Sequence, residues 1–386
     1  MIPCLDEEEA IASVVDRAWH GIELSGRKGE VIVVDNASTD RSAEIATSRG
    51  ARVVYQPNRG YGNAYLAGLA NARGRFIVMG DADGTYDFAM VPEFVDALDT
   101  GADMVLGSRL QGQIHKDAMP WSHRWIGNPL ITGMINLMFK ARVSDAYCGL
   151  RAVRRDVVPS LELRSPGMEF ALEMVFKAAR LHLEIAQIPI EYHRRQGDSK
   201  LNSMSDGWRS VKFILVHSPS YLFFVPALAL VIPGLAGCLA LAAGPVDILG
   251  HTWKIDALHL SVALLLLGVQ IASFGLVART FGMAQLGDRD MLLERLFGRF
   301  RLEHALIAGA TALAIGLLGL SAVFAIWATE GFGVIRHEHQ AVLSFALAGL
   351  GVQLIFTGFL VAIVGRPAHG EAAPERIGEP QVESAP

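Results

Sequence analysis

The chain has little cysteine: Cys4, Cys148 and Cys238 lie far apart in 386 residues. That scarcity excludes a disulfide framework and every zinc-finger spacing. Positive charge is not gathered into a basic stripe, and 34 Lys and Arg against 39 Asp and Glu leave a net charge of −5. No nucleic-acid partner is expected from that balance. The opening Met1-Ile2-Pro3-Cys4-Leu5-Asp6-Glu7-Glu8-Glu9 lacks the basic region and apolar core of a signal peptide, which predicts that the first half stays in the cytoplasm. What the chain has in excess is apolar residues, at 51% of the total with a positive mean hydropathy, and they are unevenly spread.

The excess sits in four runs, about 221–243, 257–278, 305–328 and 341–364. Each is long enough to cross the ~30 Å hydrocarbon layer as a helix. The pattern predicts a soluble catalytic domain over 1–203, an interfacial amphipathic helix over 204–220, a four-helix transmembrane domain over 221–365 and a disordered tail over 366–386. In the stretch before the first run, Trp208, Val211 and Leu215 separate at helical spacing from Arg209 and Lys212. Such a segment suits the headgroup plane of a lipid bilayer, although an ordinary domain-terminal helix reads the same way. The connector after the second run carries Arg279, Arg289, Arg295, Arg299 and Arg301, whereas those after the first and third carry only Lys254 and Arg336. The positive-inside rule then places the first domain, the Arg-rich connector and the C-terminus on the cytoplasmic side, of the inner membrane if the source is bacterial.

In the soluble half, Val31-Ile32-Val33-Val34, Arg52-Val53-Val54-Tyr55 and Phe76-Ile77-Val78-Met79 alternate with helix-like stretches from about 41–48, 61–72 and 88–98. Alternation of this kind predicts a mostly parallel α/β sheet whose ligands bind beyond the strand ends. The third strand ends in Asp81-Ala82-Asp83, two carboxylates that offer oxygen ligands to Mg²⁺ or Mn²⁺. Such a cation suits a diphosphate leaving group. Asp35 ends an earlier strand and is the candidate for accepting a base N–H, while Ser38 and Asp40 read as turn and cap residues. In Asn58-Arg59-Gly60-Tyr61-Gly62 the glycines allow close backbone approach and Arg59 can meet phosphate. Asp87 reads as a helix cap. Asp145 and Glu169 are further acids, for sugar hydroxyls, for Arg151 or for a structural ion pair.

Pro3-x-x-Asp6-Glu7, Asp35, Asn58-Arg59-Gly60, Asp81-x-Asp83, Gly107-Ser108-Arg109 and Asp145-x-x-Cys148-Gly149-x-Arg151 follow in this order. As a set they resemble family 2 glycosyltransferases of the GT-A fold. Arg194-Arg195-Gln196-Gly197-Asp198-Ser199-Lys200-Leu201, just before the apolar runs, is similar to the R-x-x-G-x-S-K-L stretch of dolichyl- and polyprenyl-phosphate sugar synthases. The resemblance implies transfer of one hexose, glucose or mannose, from a UDP- or GDP-sugar to a lipid phosphate at the cytoplasmic face, with inversion. It implies nucleotide binding by Pro3, Asp6 or Glu7, and Asp35, beside the Arg59 read above, with metal and diphosphate binding by Asp81 and Asp83. It further implies acceptor-phosphate binding by Arg109, Arg195 and Lys200; the candidate catalytic acids are Asp81 and Asp83, with Asp145 and Glu169 read from the sequence as the next two. A homo-oligomer is compatible with all of this.

Two departures stand out. Only Met1-Ile2 precede Pro3 where the family has a full apolar strand, so the true start is expected upstream or the first strand truncated; Asp6 stands where Asn is frequent. Two other functions fit parts of the pattern. A processive polysaccharide synthase would carry Q-x-x-R-W after Arg151, and Trp121-Ser122-His123-Arg124-Trp125 has the wrong first residue and comes too early. A non-enzymatic lipid carrier or scaffold with a retired transferase domain would not need Asp35, Asp81, Asp83 and Lys200.

Overall fold

A computed structural model describes residues 1–197, 203–248, 250–286 and 302–365. Lys200, the connector residues Arg289, Arg295, Arg299 and Arg301, and the tail 366–386 lie outside the described residues. The chain divides into two compact units, the first ending at Ser218 and the second beginning at Pro219.

In the first unit the strands are β1 (Ile2–Cys4), β2 (Ile32–Asp35), β3 (Arg52–Tyr55), β4 (Phe76–Met79), β5 (Met104–Ile114), β6 (Arg151–Arg154) and β7 (Ile185–Tyr192). Its helices are α1 (Ile11–Leu24), α2 (Ser42–Ser48), α3 (Tyr61–Asn71), α4 (Val91–Asp99), α5 (Asn128–Phe139), α6 (Val158–Leu161), α7 (Phe170–Arg180) and α8 (Ser203–Val216). β1, β2 and β3 pair in parallel, and β4, β6, β5 and β7 lie side by side in that order. Met1 N donates to Val78 O at 2.8 Å and Gly80 N donates to Met1 O at 3.3 Å, the pattern of a parallel bridge that joins the two sets between β1 and β4. β5 pairs with β7 in parallel; the exception to the parallel rule is β6, antiparallel to both β4 and β5. This is the mostly parallel α/β sheet that the alternation of strand and helix predicts.

The strands are short Val- and Ile-rich runs because helices cover both faces, so that all four residues of β2 are buried. α1 buries Ile11, Val14, Val15, Ala18 and Gly21, a single stripe at helical spacing. α4 likewise buries Val91, Phe94, Val95 and Leu98. These helices cover one face of the sheet, and α5, α7 and α8 contribute Ile135, Phe170, Phe176 and Ile214 to the other core. α8 is therefore a packed element of the first unit: Ser210 and Ile214 face inward while Trp208, Arg209 and Lys212 remain exposed. Asp87 caps the turn before α4 by accepting Ala89 N at 2.9 Å, and Asp40 forms the Asx turn that leads into α2 by accepting Ser42 N at 2.9 Å.

Among its described residues the second unit has four helices long and apolar enough to cross a membrane, Ser220–Ala240, Ile255–Met283, Leu302–Thr329 and Glu338–Val364. Only 11% to 28% of the most apolar stretch of each is buried, leaving a surface that lipid must cover. The last two pack through small residues. A Cβ at Gly316 would come within 2.5 Å of Ala348 N, and one at Gly351 within 2.5 Å of Leu313 N.

Candidate active site

The parallel strands deliver their C-terminal ends to one edge of the sheet, and the acids collect there. Asp81 and Asp83 follow β4, Asp6 and Glu7 follow β1, and Asp35 closes β2. Asp81 Oδ1 accepts from the hydroxyls of Tyr61 at 3.0 Å and Tyr65 at 3.3 Å, two residues one turn apart at the start of α3. Burial pushes both phenols up, so they remain protonated donors. Burial and then the nearby Asp83 carboxylate push Asp81 itself up to about 6. Asp83 Oδ1 accepts the Thr85 hydroxyl at 2.6 Å and Thr85 N at 3.1 Å. Its other oxygen lies 3.6 Å from the Arg195 guanidinium, which also pairs with Glu7. One cation thus bridges the acid after β1 and the acid after β4.

Gly149 sits against this cluster. A Cβ there would fall 2.5 Å from Asp81 Oδ2, and Gly149 N donates to the Tyr86 hydroxyl at 2.8 Å. Asp35 is 6% exposed, and its Oδ1 accepts Ser38 N at 3.1 Å. Asp6 adopts a left-handed backbone with φ 50° and accepts Thr39 N through Oδ1. Asn and Asp are the residues that tolerate such a conformation. Pro3 lies within β1, paired with Val34 of β2.

Several sequence expectations change. Gly60 and Gly62 do allow close backbone approach, and the backbone they admit is the protein's own: a Cβ at either would clash with the carbonyl oxygens of Pro166 and Ser165, at 2.4 Å and 1.9 Å. Arg59 is exposed and donates to Ala37 O at 3.1 Å. Arg109, expected on the acceptor phosphate, is instead buried in a two-pronged pair with Asp145, Nε to Oδ2 at 2.7 Å and Nη2 to Oδ1 at 2.8 Å. Asp145 therefore does not orient Arg151, which donates to the carbonyls of Cys148 and Ala171. Glu169 stands at the start of α7, and its buried Oε2 has no hydrogen-bond partner among the described residues. Cys4 and Cys148 are buried with thiols pushed up to about 12 by desolvation, which makes them inert packing residues.

Sequence reasoning missed the Tyr61–Tyr65 pair, although its i, i+4 spacing at a helix start beside the acidic turn was a usable signal. It also missed Asn36, whose amide donates to Gln56 O and Asn58 O and whose Oδ1 accepts Gly60 N at 2.7 Å, fixing the loop before α3.

The family described as "Glycosyl transferase family 2" matches residues 1–161, and "Glycosyltransferase family 2 C-terminal transmembrane region" matches 276–365. The chain is 37% identical to the low-salt glycan biosynthesis hexosyltransferase Agl6 of Haloferax volcanii, a match covering 95% of this chain and 88% of that protein. The chain belongs to glycosyltransferase family 2. A dolichyl-phosphate hexose transferase of Haloferax volcanii is 33% identical over 52% of this chain and 85% of its own length. The undecaprenyl-phosphate mannosyltransferase of Micrococcus luteus is 30% identical over 52% and 86%. A crystal structure of Mycobacterium tuberculosis glucosyl-3-phosphoglycerate synthase with Mn²⁺, UDP and phosphoglyceric acid superposes with a TM-score of 0.45 and 24% identity. It covers 55% of this chain and 75% of its own, a likeness too slight to bear on the site.

Proposed function

We propose that this glycosyltransferase moves a hexose from a UDP- or GDP-sugar to a polyprenyl or dolichyl phosphate at the cytoplasmic membrane face, inverting the anomeric centre. The observation that carries this reading is the acidic edge itself: Asp81 and Asp83 end β4, and Arg195 ties Asp83 to Glu7 across the strand ends. Asp35 accepts the base N–H, with Pro3, Asp6 and Glu7 forming the floor beside it and Arg59 the rim. Asp81 and Asp83 supply only oxygen donors, and Asp83 already draws a guanidinium, so the pair fits a hard divalent cation. Mg²⁺ or Mn²⁺ held there supplies positive charge for the departing diphosphate.

The acceptor needs no dedicated base. A phosphomonoester's second pKa is ~6, so its attacking oxygen is largely ionised at neutral pH. Arg195 exchanges its carboxylate partners for this phosphate, with Lys200 nearby in sequence; Glu169, with its unpartnered oxygen, accepts a sugar hydroxyl. Positioning then supplies most of the rate. Arg109 and Asp145 are left out of substrate contact and assigned to holding the loop that presents Gly149 to Asp81.

Exposed apolar residues of the first unit support the lipid acceptor. Trp125, Ile126, Leu130 and Leu137 project from 123–139, and Trp208 and Val216 from α8. Arg124, Arg209 and Lys212 are exposed on the same segments. Aromatic residues mixed with bases are the chemistry of a headgroup layer.

The deciding experiment incubates detergent-solubilised protein with a polyprenyl phosphate and each of several UDP- and GDP-hexoses, with Mg²⁺, Mn²⁺ or EDTA. A lipid-linked monosaccharide, seen by mass spectrometry with one donor and abolished by EDTA, is the expected product. No product across the whole panel would reject the reading.

Acid should act through Asp81. Its carboxyl is held at about 6, and only the ionised form ligates metal. Apparent Mn²⁺ affinity is therefore expected to be nearly flat above pH 7 and to fall by ~10-fold per pH unit below about 6. Calorimetric titration between pH 5 and 8 checks this, and a flat profile throughout would remove Asp81 from the ligand set.

A further inference from the structure

Away from the acids that end β4, three ligating side chains converge on the first unit. β5 and β7 run in parallel with Gln113 opposite Glu191 and Ile114 opposite Tyr192. Gly112 permits this approach, since a Cβ there would meet Ile190 O at 1.9 Å. His115 N then donates to Tyr192 O at 3.0 Å, and His193 N donates to Thr85 O at 2.9 Å. Backbone pairing thus sets His115, Glu191 and His193 at one edge.

Their side chains meet around one carboxylate oxygen. His115 Nε2 lies 3.0 Å and His193 Nε2 3.7 Å from Glu191 Oε2, and the two imidazoles stack with centroids 4.4 Å apart. All three ligand atoms fall within 4.8 Å of one another. A tetrahedral cation with bonds of ~2.1 Å separates its ligand atoms by ~3.4 Å, a value the two measured distances straddle. A plain surface ion pair accounts for one imidazole on Glu191; it does not account for a second ring stacked on the first and turned to the same oxygen. Side-chain exposures of 37% to 56% leave an entry path and room for water as a fourth ligand.

We propose that His115, Glu191 and His193 form a second metal site that takes a borderline divalent cation of the Zn²⁺ class. Two imidazoles and a carboxylate select such an ion, whereas the oxygen-only pair Asp81 and Asp83 selects Mg²⁺ or Mn²⁺. The site does not depend on the transfer reaction proposed above. Its position gives it a consequence: the cation clasps the end of β5 to the end of β7, two residues before Arg195 and one backbone bond from Thr85, the partner of Asp83. Occupancy would steady the chain at the point where Arg195 reaches the acidic edge.

The test is a Co²⁺ titration of untagged, full-length protein in detergent, followed by visible absorption and by Zn²⁺ competition. One saturable, intense band of low-coordinate Co²⁺, displaced by Zn²⁺, is expected. His115→Gln and His193→Gln should each weaken Zn²⁺ binding by at least ~10-fold, the lower bound for disturbing even an outer-shell partner. Glu191→Gln, which keeps a hydrogen-bonding group between the rings, should do the same, and guards against misfolding of a His variant. Asp81→Asn should leave the band in place. Absence of a saturable band, its survival in all three edge variants, or its loss in Asp81→Asn would each overturn the assignment.

Discussion

Asp81→Asn is expected to lower turnover by ~1,000-fold or more and, in EDTA at pH 8, to make the protein more stable. The two effects have one origin. The Asp81 carboxyl is held at about 6, above the 3.8 of an unstrained aspartate, first by burial and second by Asp83. The folded chain therefore keeps a proton that the unfolded chain releases between those values. The stability this contributes is fully present below pH 3.8 and is lost as pH rises through 6. At pH 8 the ionised carboxylate is a destabilising group of about 1–3 kcal/mol. The amide isostere keeps an Oδ1 acceptor for Tyr61 and Tyr65 and removes the charge.

Metal should reverse the ranking. Ligand at ~100 times its dissociation constant stabilises the folded state by about 2.7 kcal/mol, so Mn²⁺ should raise the wild-type midpoint and leave that of Asp81→Asn nearly unmoved. Thermal unfolding with and without Mn²⁺, beside turnover measured with the productive donor, checks both halves. Unchanged turnover in a folded Asp81→Asn protein would place the chemistry elsewhere.

The residues involved in this prediction were legible in sequence because they stand where local pattern and topology coincide. A run such as Phe76-Ile77-Val78-Met79 reads as a strand from its composition, and an acid directly after it must lie at the strand's end. The same reasoning reaches Glu7 and Asp35. It fails where a role is set by a partner distant in the chain. Arg109 and Asp145 are 36 residues apart, and nothing in Gly107-Ser108-Arg109 reveals that the guanidinium turns inward. Which backbone Gly60 and Gly62 accommodate was out of reach for the same reason: it belongs to Ser165 and Pro166, a hundred residues on. His115 and His193 are brought together only by the register of β5 on β7. The fold, which follows from many local signals that agree, was read further than the site, which depends on a few non-local ones.

The Arg109–Asp145 pair carries the second large expectation. Asp145 has a fully buried side chain, and Arg109 is only 8% exposed. Beyond the two guanidinium bonds, the carboxylate accepts Arg109 N at 3.2 Å and Tyr147 N at 3.2 Å, and Arg109 lies over the Tyr192 ring at 5.2 Å. Removing one member leaves the other charged and unpaired in the interior, so Asp145→Leu is expected to destabilise the protein by about 3–5 kcal/mol. Replacing both, as Arg109→Met with Asp145→Leu, removes the stranded charge and should recover most of that loss, because burying two ions costs nearly what their attraction returns. Denaturant or thermal unfolding of the two single variants and the double variant closes the cycle. If Arg109 served the acceptor phosphate, its replacement would strike turnover in a stable protein, and the double variant would be as inactive as the single. A structural pair gives the opposite order: stability falls first, activity falls with it because the Asp145–Gly149 loop borders Asp81, and both return together in the double variant.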